Sequence, residues 1–243
     1  MAPARTATKT MPKKRSKRYQ QAAKLIDEDK NYPLDEACAI VGKFPSPKFD
    51  QSVTISFRIG VDPRKSDQMI RGTCPLPNGS GKEVRVLVFA EGDAAAAATA
   101  AGAEHVGYED LIKQVAGGFQ DFDVAVATPA AMSEVRKLGR FLGPRGLMPN
   151  PKTGTVTDDT AEAVKAVKAG RVDFKLDKNG NISVVIGKAS FEAAQLAENA
   201  QAVIESILAV RPATAKGRLL TRGAIAATMS PGIKLDVNPL EKI

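Results

Sequence analysis

Tryptophan is absent from the 243 residues, aromatic side chains make up only 5%, and the chain holds a single histidine, His105, and two cysteines, Cys38 and Cys74. So few nitrogen and sulfur ligands leave little scope for a zinc site of the usual kind, and no metal is expected. The cysteines lie far apart with no partner motif, which favours free thiols in a reducing cytoplasm while leaving a disulfide open. No apolar run approaches the roughly 20 residues that a membrane-spanning helix needs. The basic N-terminus runs into the polar "RYQQAAK" instead of an apolar segment, so neither a membrane partner nor a secretory route is expected. A hydrophobic content of 43% and a charged content of 26% suit a soluble globular protein, at a length on the border between one domain and two.

Catalytic groupings are also scarce. His105 sits in "GAEHVGYED" with no serine or cysteine nearby in sequence. The paired carboxylates Asp27/Asp29 and Asp158/Asp159 read as solvated helix ends, and no G-x-G-x-x-G follows a strand to mark a dinucleotide site. One stretch invites a different reading. "LGRFLGPRGLMPNPKTG", Leu138 to Gly154, carries three cations and no acid, and its "GLMPNPKT" differs at one position from the nucleotide-triphosphate loop G-x-x-x-x-G-K-[ST]. The differing residue is Pro151, which has no N–H to offer a phosphate and a fixed φ that disfavours the concave loop. A phosphate- or nucleotide-handling enzyme using residues 138–154 is therefore the alternative reading. The expectation is a protein that is not an enzyme and has no cofactor and no small-molecule substrate.

The order of elements indicates two domains. "SVTISFRIG" alternates Val53, Ile55, Phe57 and Ile59 against polar neighbours, as a strand with one buried face does. After the Pro/Gly/Ser-rich "CPLPNGSGK", the pattern changes to the nearly continuous apolar "VRVLVFA", a helix-prone alanine run, "HVGYEDLIKQVA" and "DVAVAT", which indicate a parallel sheet covered on both faces. Beyond residue 158 the first style returns. "TAEAVKAVKAG" reads as a helix, "RVDFKLDKNGNISVVIG" as a hairpin turning at Asn179-Gly180, "FEAAQLAENAQAVIESILAV" as a long amphipathic helix, and "GAIAATMSPGIKLDV" as a final strand pair. The fold class is α/β, with residues 17–75 and 159–243 as a discontinuous outer α+β domain and residues 76–158 as an inserted parallel α/β domain.

Charge follows the same partition. Of the net +8, residues 1–18 supply seven Lys/Arg and no acid. The insert holds eight basic and ten acidic residues, and the outer parts without that tail hold 20 and 17. A polyanion is thus expected on the outer domain and on the basic arm, residues 1–16. RNA readers combine cations with a few flat or apolar groups that press on bases or ribose. Two segments offer such groups. "PKFDQSV" sets Lys48 beside Phe49, and "ATMSPG" offers the hydroxyl of Thr228, the flexible Met229 and room for close backbone approach at Gly232.

At these residues the chain resembles a known family. "KFDQSVTISFRIGVDPRKSDQMIRG", "GPRGLMPNPKTGTV", "KAGRVDFKLDKNGNISVVIGK" and "TMSPG" stand in the order and at about the spacing of the bacterial-type first protein of the large ribosomal subunit, from Lys17 onward. The resemblance implies an outer split β-α-β domain that grips large-subunit ribosomal RNA in the ribosome's mobile side stalk, with a Rossmann-like domain inserted in it. It also implies contact with the transfer RNA leaving the exit site, repression of the protein's own messenger RNA, and a cytoplasmic place on the ribosome. Lys48, Phe49 and Ser52 match the family's RNA-contacting segment at the first strand. Thr228 and Met229 match its threonine-methionine-glycine motif, in which Ser230 replaces the glycine. "GPRGLMPNPKTG" resembles the family's signature loop, expected where the chain leaves the inserted domain.

Overall fold

The computed structural model describes residues 15–242 apart from Glu28 and Lys216. Most of the basic arm, residues 1–14, lies outside the described residues. Helix α1, Lys17–Ala23, begins where the Ser16 hydroxyl accepts the Tyr19 N–H at 3.3 Å. Helix α2, Leu34–Gly42, starts behind Pro33 and places Asp35 and Glu36 in its first turn, where negative charge is favoured. Strands β1, Ser52–Ile59, and β2, Arg71–Cys74, follow. Then come β3, Val86–Phe89; α3, Gly92–Ala100; β4, His105–Gly107; α4, Glu109–Ala116; and β5, Val124–Ala127. The short helices α5, Met132–Val135, and α6, Gly139–Leu142, precede α7, Thr160–Lys168. The chain closes with β6, Val172–Lys175; β7, Asn181–Lys188; α8, Ala193–Ala209; β8, Leu220–Ala227; and β9, Ile233–Leu235.

Strands β7-β1-β8-β9 form an antiparallel sheet with β1 in the middle. Its alternation sends Val53, Ile55, Phe57 and Ile59, with Ile182, Val184, Ile186 and Ile225, into one core shared with α2 and α8. The opposite face carries Ser52, Thr54, Ser56, Arg58, Ser183, Arg222 and Ala224, and none of these is buried. No helix covers that face among the described residues, and its polar row is what the period-2 pattern of β1 requires of a half-exposed sheet.

The parallel sheet β4-β3-β5 explains the continuous apolar run of β3, whose four residues are all fully buried. Leu87 and Phe89 pack with Leu111, Val115, Leu138 and Leu142 on one side, while Val86 and Val88 pack with Ala98, Ala163, Val164 and Val167 on the other. The latter group places α7, assigned by the sequence reading to the outer part, on the inner sheet. An amphipathic stripe shows that a helix is half-buried and leaves open which sheet it covers. The loop 138–154 reaches Arg71, Arg171 and Asp173 at β2 and β6, and packs on the inner sheet. Its apolar residues anchor it there, and Val156 pairs beside Ala127.

The two passages between the sheets meet at Gly79 and Gly170. A Cβ on Gly170 would lie 2.6 Å from the Gly79 Cα, and Gly170 also has φ +99°, so this contact requires glycine twice over. Beside it, β2 and β6 pair as a two-stranded ribbon, with Cys74 opposite Val172. That ribbon corrects the expected hairpin. The turn at Asn179-Gly180 forms, with Asp177 N–H donating to the Asn181 carbonyl at 2.9 Å, but β6 runs back along β2 and β7 joins β1. A turn signal fixes the reversal of the chain, not the partner of each strand. Asn199 of α8 secures the crossing, although it is wholly buried: its carbonyl accepts the Asn78 N–H at 3.0 Å and its amide donates to Gly79 O at 3.0 Å and Ile186 O at 2.7 Å.

Candidate nucleic-acid interface

The antiparallel pairing of β1 with β8 joins the two segments singled out in the sequence. Val53 is opposite Ala227, so the chain entering β1 at Ser52 lies beside the chain leaving β8 at Thr228. The Thr228 N–H and hydroxyl both donate to the Ser52 carbonyl, each at 3.1 Å. Lys48 is exposed, and Phe49 and Met229 are each 50% exposed, large values for apolar side chains at the edge of a well-packed core. A hollow of about 390 Å³ borders Phe49, lined also by Phe44, Pro47, Gln51 and Ser190.

Ser230 and Gly232 complete the rim. The Ser230 N–H donates to the Ala227 carbonyl at 3.1 Å, closing a turn that projects Met229. No residue other than glycine has positive φ among the described residues, so serine at 230 imposes no left-handed strain. Gly232 is exposed with open space around it.

Three supporting groups escaped the sequence reading. Gln51 is only 3% exposed; its side-chain carbonyl accepts the Met229 N–H at 2.9 Å, and its backbone carbonyl accepts the Ala189 N–H at 2.8 Å. One buried amide thus ties together the segments that carry Phe49 and Met229. Lys188, opposite Ser52 in the β1/β7 ladder, donates to the Ser52 hydroxyl at 3.2 Å and brings a cation to the same edge. Asp50 accepts from the Ser190 N–H at 3.2 Å and hydroxyl at 2.8 Å, which fixes the loop before β1. The ladder shifts register between Val53 and Thr54, and such bulges re-aim side chains at strand ends. Lys188 ends the quoted "VVIGK", but its nearness to Ser52 depends on strand register, which sequence does not give.

Other candidate chemistry is spent on structure. His105 packs edge-on against Phe119, with ring centroids 5.0 Å apart. Cys38 and Cys74 are free and buried, and burial, with Asp35 nearby, pushes the Cys38 thiol up to about 12. In the 138–154 loop the Thr153 hydroxyl donates to the Asn150 carbonyl at 3.0 Å, and the Thr155 hydroxyl accepts the Asn150 N–H at 2.8 Å. Pro151 opens a 3-10 turn there in place of a phosphate cradle. Among the described residues, no group of three or more His, Cys, Asp or Glu is placed to hold a metal, and no helix is long and apolar enough to cross a membrane.

Residues 41–231 match the model of the Ribosomal protein L1p/L10e family, a span that includes both 48–52 and 228–230. The chain is 54% identical over 227 residues to the large ribosomal subunit protein uL1 of Bifidobacterium longum, covering 93% of this chain and 99% of that one. It is likewise 54% identical over 226 residues to the protein of that name from Kosmotoga olearia, covering 93% and 97%. The Kocuria rhizophila uL1 is 53% identical over 229 residues, covering 94% and 97%.

Proposed function

The chain belongs to the Ribosomal protein L1p/L10e family, and on that premise we propose that it grips large-subunit ribosomal RNA through one edge of its antiparallel sheet. It is a structural constituent of the ribosome. The surface comprises Lys48, Phe49, Ser52, Thr228, Met229, Ser230 and Gly232. The observation that carries the reading is the junction of β1 with β8, which sets two half-exposed apolar groups beside hydroxyls and a cation. Phe49 stacks on a base or ribose, Met229 fills the space beside it, and Lys48 meets phosphate; Ser52 and Thr228 hold the two segments in register. Such contacts recognise RNA by shape.

Two further roles rest on the same family membership. The protein contacts the transfer RNA leaving the exit site, and it represses its own messenger by binding an RNA segment that mimics the ribosomal site. The messenger segment and the ribosomal RNA then compete for one surface. We place the RNA-binding domain in residues 17–79 and 170–243, which moves the first border from the expected 75/76 to 79/80, where the two passages meet, and the second from 158/159 to 169/170, because α7 packs on the inner sheet. The direct test is equilibrium binding of the purified chain to the stalk RNA, an unrelated hairpin and ATP. Clear preference for the stalk RNA is expected. Saturable micromolar ATP binding without that preference would favour the enzyme reading of the 138–154 loop.

The basic arm adds affinity without specificity. Arg15 lies over the Tyr19 ring at 4.6 Å and Ser16 caps α1, so deletion is best made at residue 14. That removes Arg5, Lys9, Lys13 and Lys14. Each phosphate contact contributes roughly 0.7 to 0.9 to the slope of log affinity against log salt. With about half of these cations on phosphates, the slope should fall by roughly 1.5, while preference for the stalk RNA is kept or rises. A collapsed preference would mean that the arm reads the site itself.

A further inference from the structure

At the other end of the open sheet face, Arg58 of β1 and Arg222 of β8 stand directly opposite each other in the ladder. Both are exposed, and neither guanidinium has a hydrogen-bond or ion-pair partner among the described residues. Like charges placed directly across an antiparallel pair are destabilising. Two acids, Asp177 and Asp236, line the same groove without a direct ion pair to either arginine. The Asp177 carboxylate accepts the N–H groups of Asn181 at 2.7 Å and Asn179 at 2.8 Å, which hold its pKa below the ordinary value. Asp236 accepts the N–H and side-chain amide of Asn238 at 3.0 and 2.9 Å. Each carboxylate is engaged by its own turn.

The two arginines line a groove of about 880 Å³, with Ser56, Ser183 and Ala224 on its floor and Arg218 at its side. The floor is low, since these side chains are small and Ser56 is hydrogen-bonded to Ser183 at 2.9 Å. Six residues of extended chain separate Ser52 from Arg58, about 20 Å at 3.3–3.4 Å per residue. A polar strip therefore joins the Phe49–Met229 edge to a pair of opposed cations that make no direct ion pair among the described residues.

We propose that Arg58 and Arg222 form a second anchor for the same RNA, gripping backbone phosphates roughly 20 Å along the open sheet face from the Phe49–Met229 edge. This rests on the RNA-binding reading above. The opposed charges cost stability in the free protein, and phosphate between them turns repulsion into two charge-assisted contacts.

The test is a full-length Arg58→Gln/Arg222→Gln variant, with binding to the stalk RNA measured across a salt series and melting measured at low salt. Two lost phosphate contacts lower the salt slope by about 1.4 to 1.8, which at 0.1 M salt is a loss of roughly tenfold or more in affinity. Melting should stay the same or rise, because a like-charge pair is removed. Arg58→Lys/Arg222→Lys should keep the slope. A Lys113→Gln/Lys165→Gln control, which removes two exposed cations from the inserted unit, should also leave it within a few tenths. An unchanged slope in the glutamine variant, a clearly lowered melting temperature, or an equal fall in the control would each overturn the proposal. If the parent chain itself shows no preference for the stalk RNA, the failure lies in the broader RNA-binding reading; if the parent binds and the variant equals it, only the second anchor falls.

Discussion

Replacing Phe49 with alanine should weaken binding to the stalk RNA by roughly ten- to a hundredfold, since base–aromatic stacking contributes about 1–3 kcal/mol per base. The same change should leave melting almost where it was. The ring is already 50% exposed in the free protein, so truncation opens no sealed cavity. Phe57, eight residues on in the same stretch and 1% exposed, provides the internal contrast. Phe57→Ala should cost about 3–5 kcal/mol of stability, and the folded fraction should still bind RNA. Melting curves and equilibrium titrations on the two variants therefore yield opposite pairs of outcomes. A Phe49→Ala protein that melts on the core scale and binds normally would place the ring in the core and remove it from the site.

The second large effect concerns Asn199. Leucine would fit the apolar surroundings, yet it would strand the Asn78 N–H and the carbonyls of Gly79 and Ile186, which now share one amide. The Ile186 carbonyl is fully buried and the other two groups are half-buried; at about 1–3 kcal/mol per buried unsatisfied group, Asn199→Leu should lose roughly 3 kcal/mol. At this chain length that lowers the melting temperature by about 6–12 °C, at roughly 2–4 °C per kcal/mol. RNA affinity of the folded protein should be unchanged, because Asn199 lies beneath the sheet. Unaltered melting would mean that the crossing does not depend on this residue.

The sequence made some of this legible because the physics is local. Alternation in "SVTISFRIG" gives a strand with one buried face, and the unbroken "VLVF" gives one covered on both. The long stripe over α8 and the turn at Asn179-Gly180 are equally local. What stayed hidden depends on partners. The stripe of α7 does not say which sheet it covers, and the Asn-Gly turn does not say that β6 will leave its neighbour for β2. The site divides in the same way. Phe49 stands beside a cation and Met229 between a hydroxyl and a turn, and the family resemblance selects them. Gln51 between Asp50 and Ser52 reads as a solvated residue, and its burial arises only when the turn after β8 folds over it. The opposition of Arg58 and Arg222 is a matter of register between strands far apart in the chain.

The most direct test of the account removes the inserted unit. Residues 80–169 can be excised and Gly79 joined to Gly170, because the two passages already touch there and β2 and β6 are paired beside them. With folding verified by melting and by dispersion of backbone NMR signals, affinity for the stalk RNA is then compared with that of the full chain. Affinity is expected within a few-fold of the parent, with the same preference over an unrelated hairpin, since every proposed contact lies outside the inserted unit. Loss of nearly all affinity in the folded variant would contradict this and move the RNA site to the inserted unit.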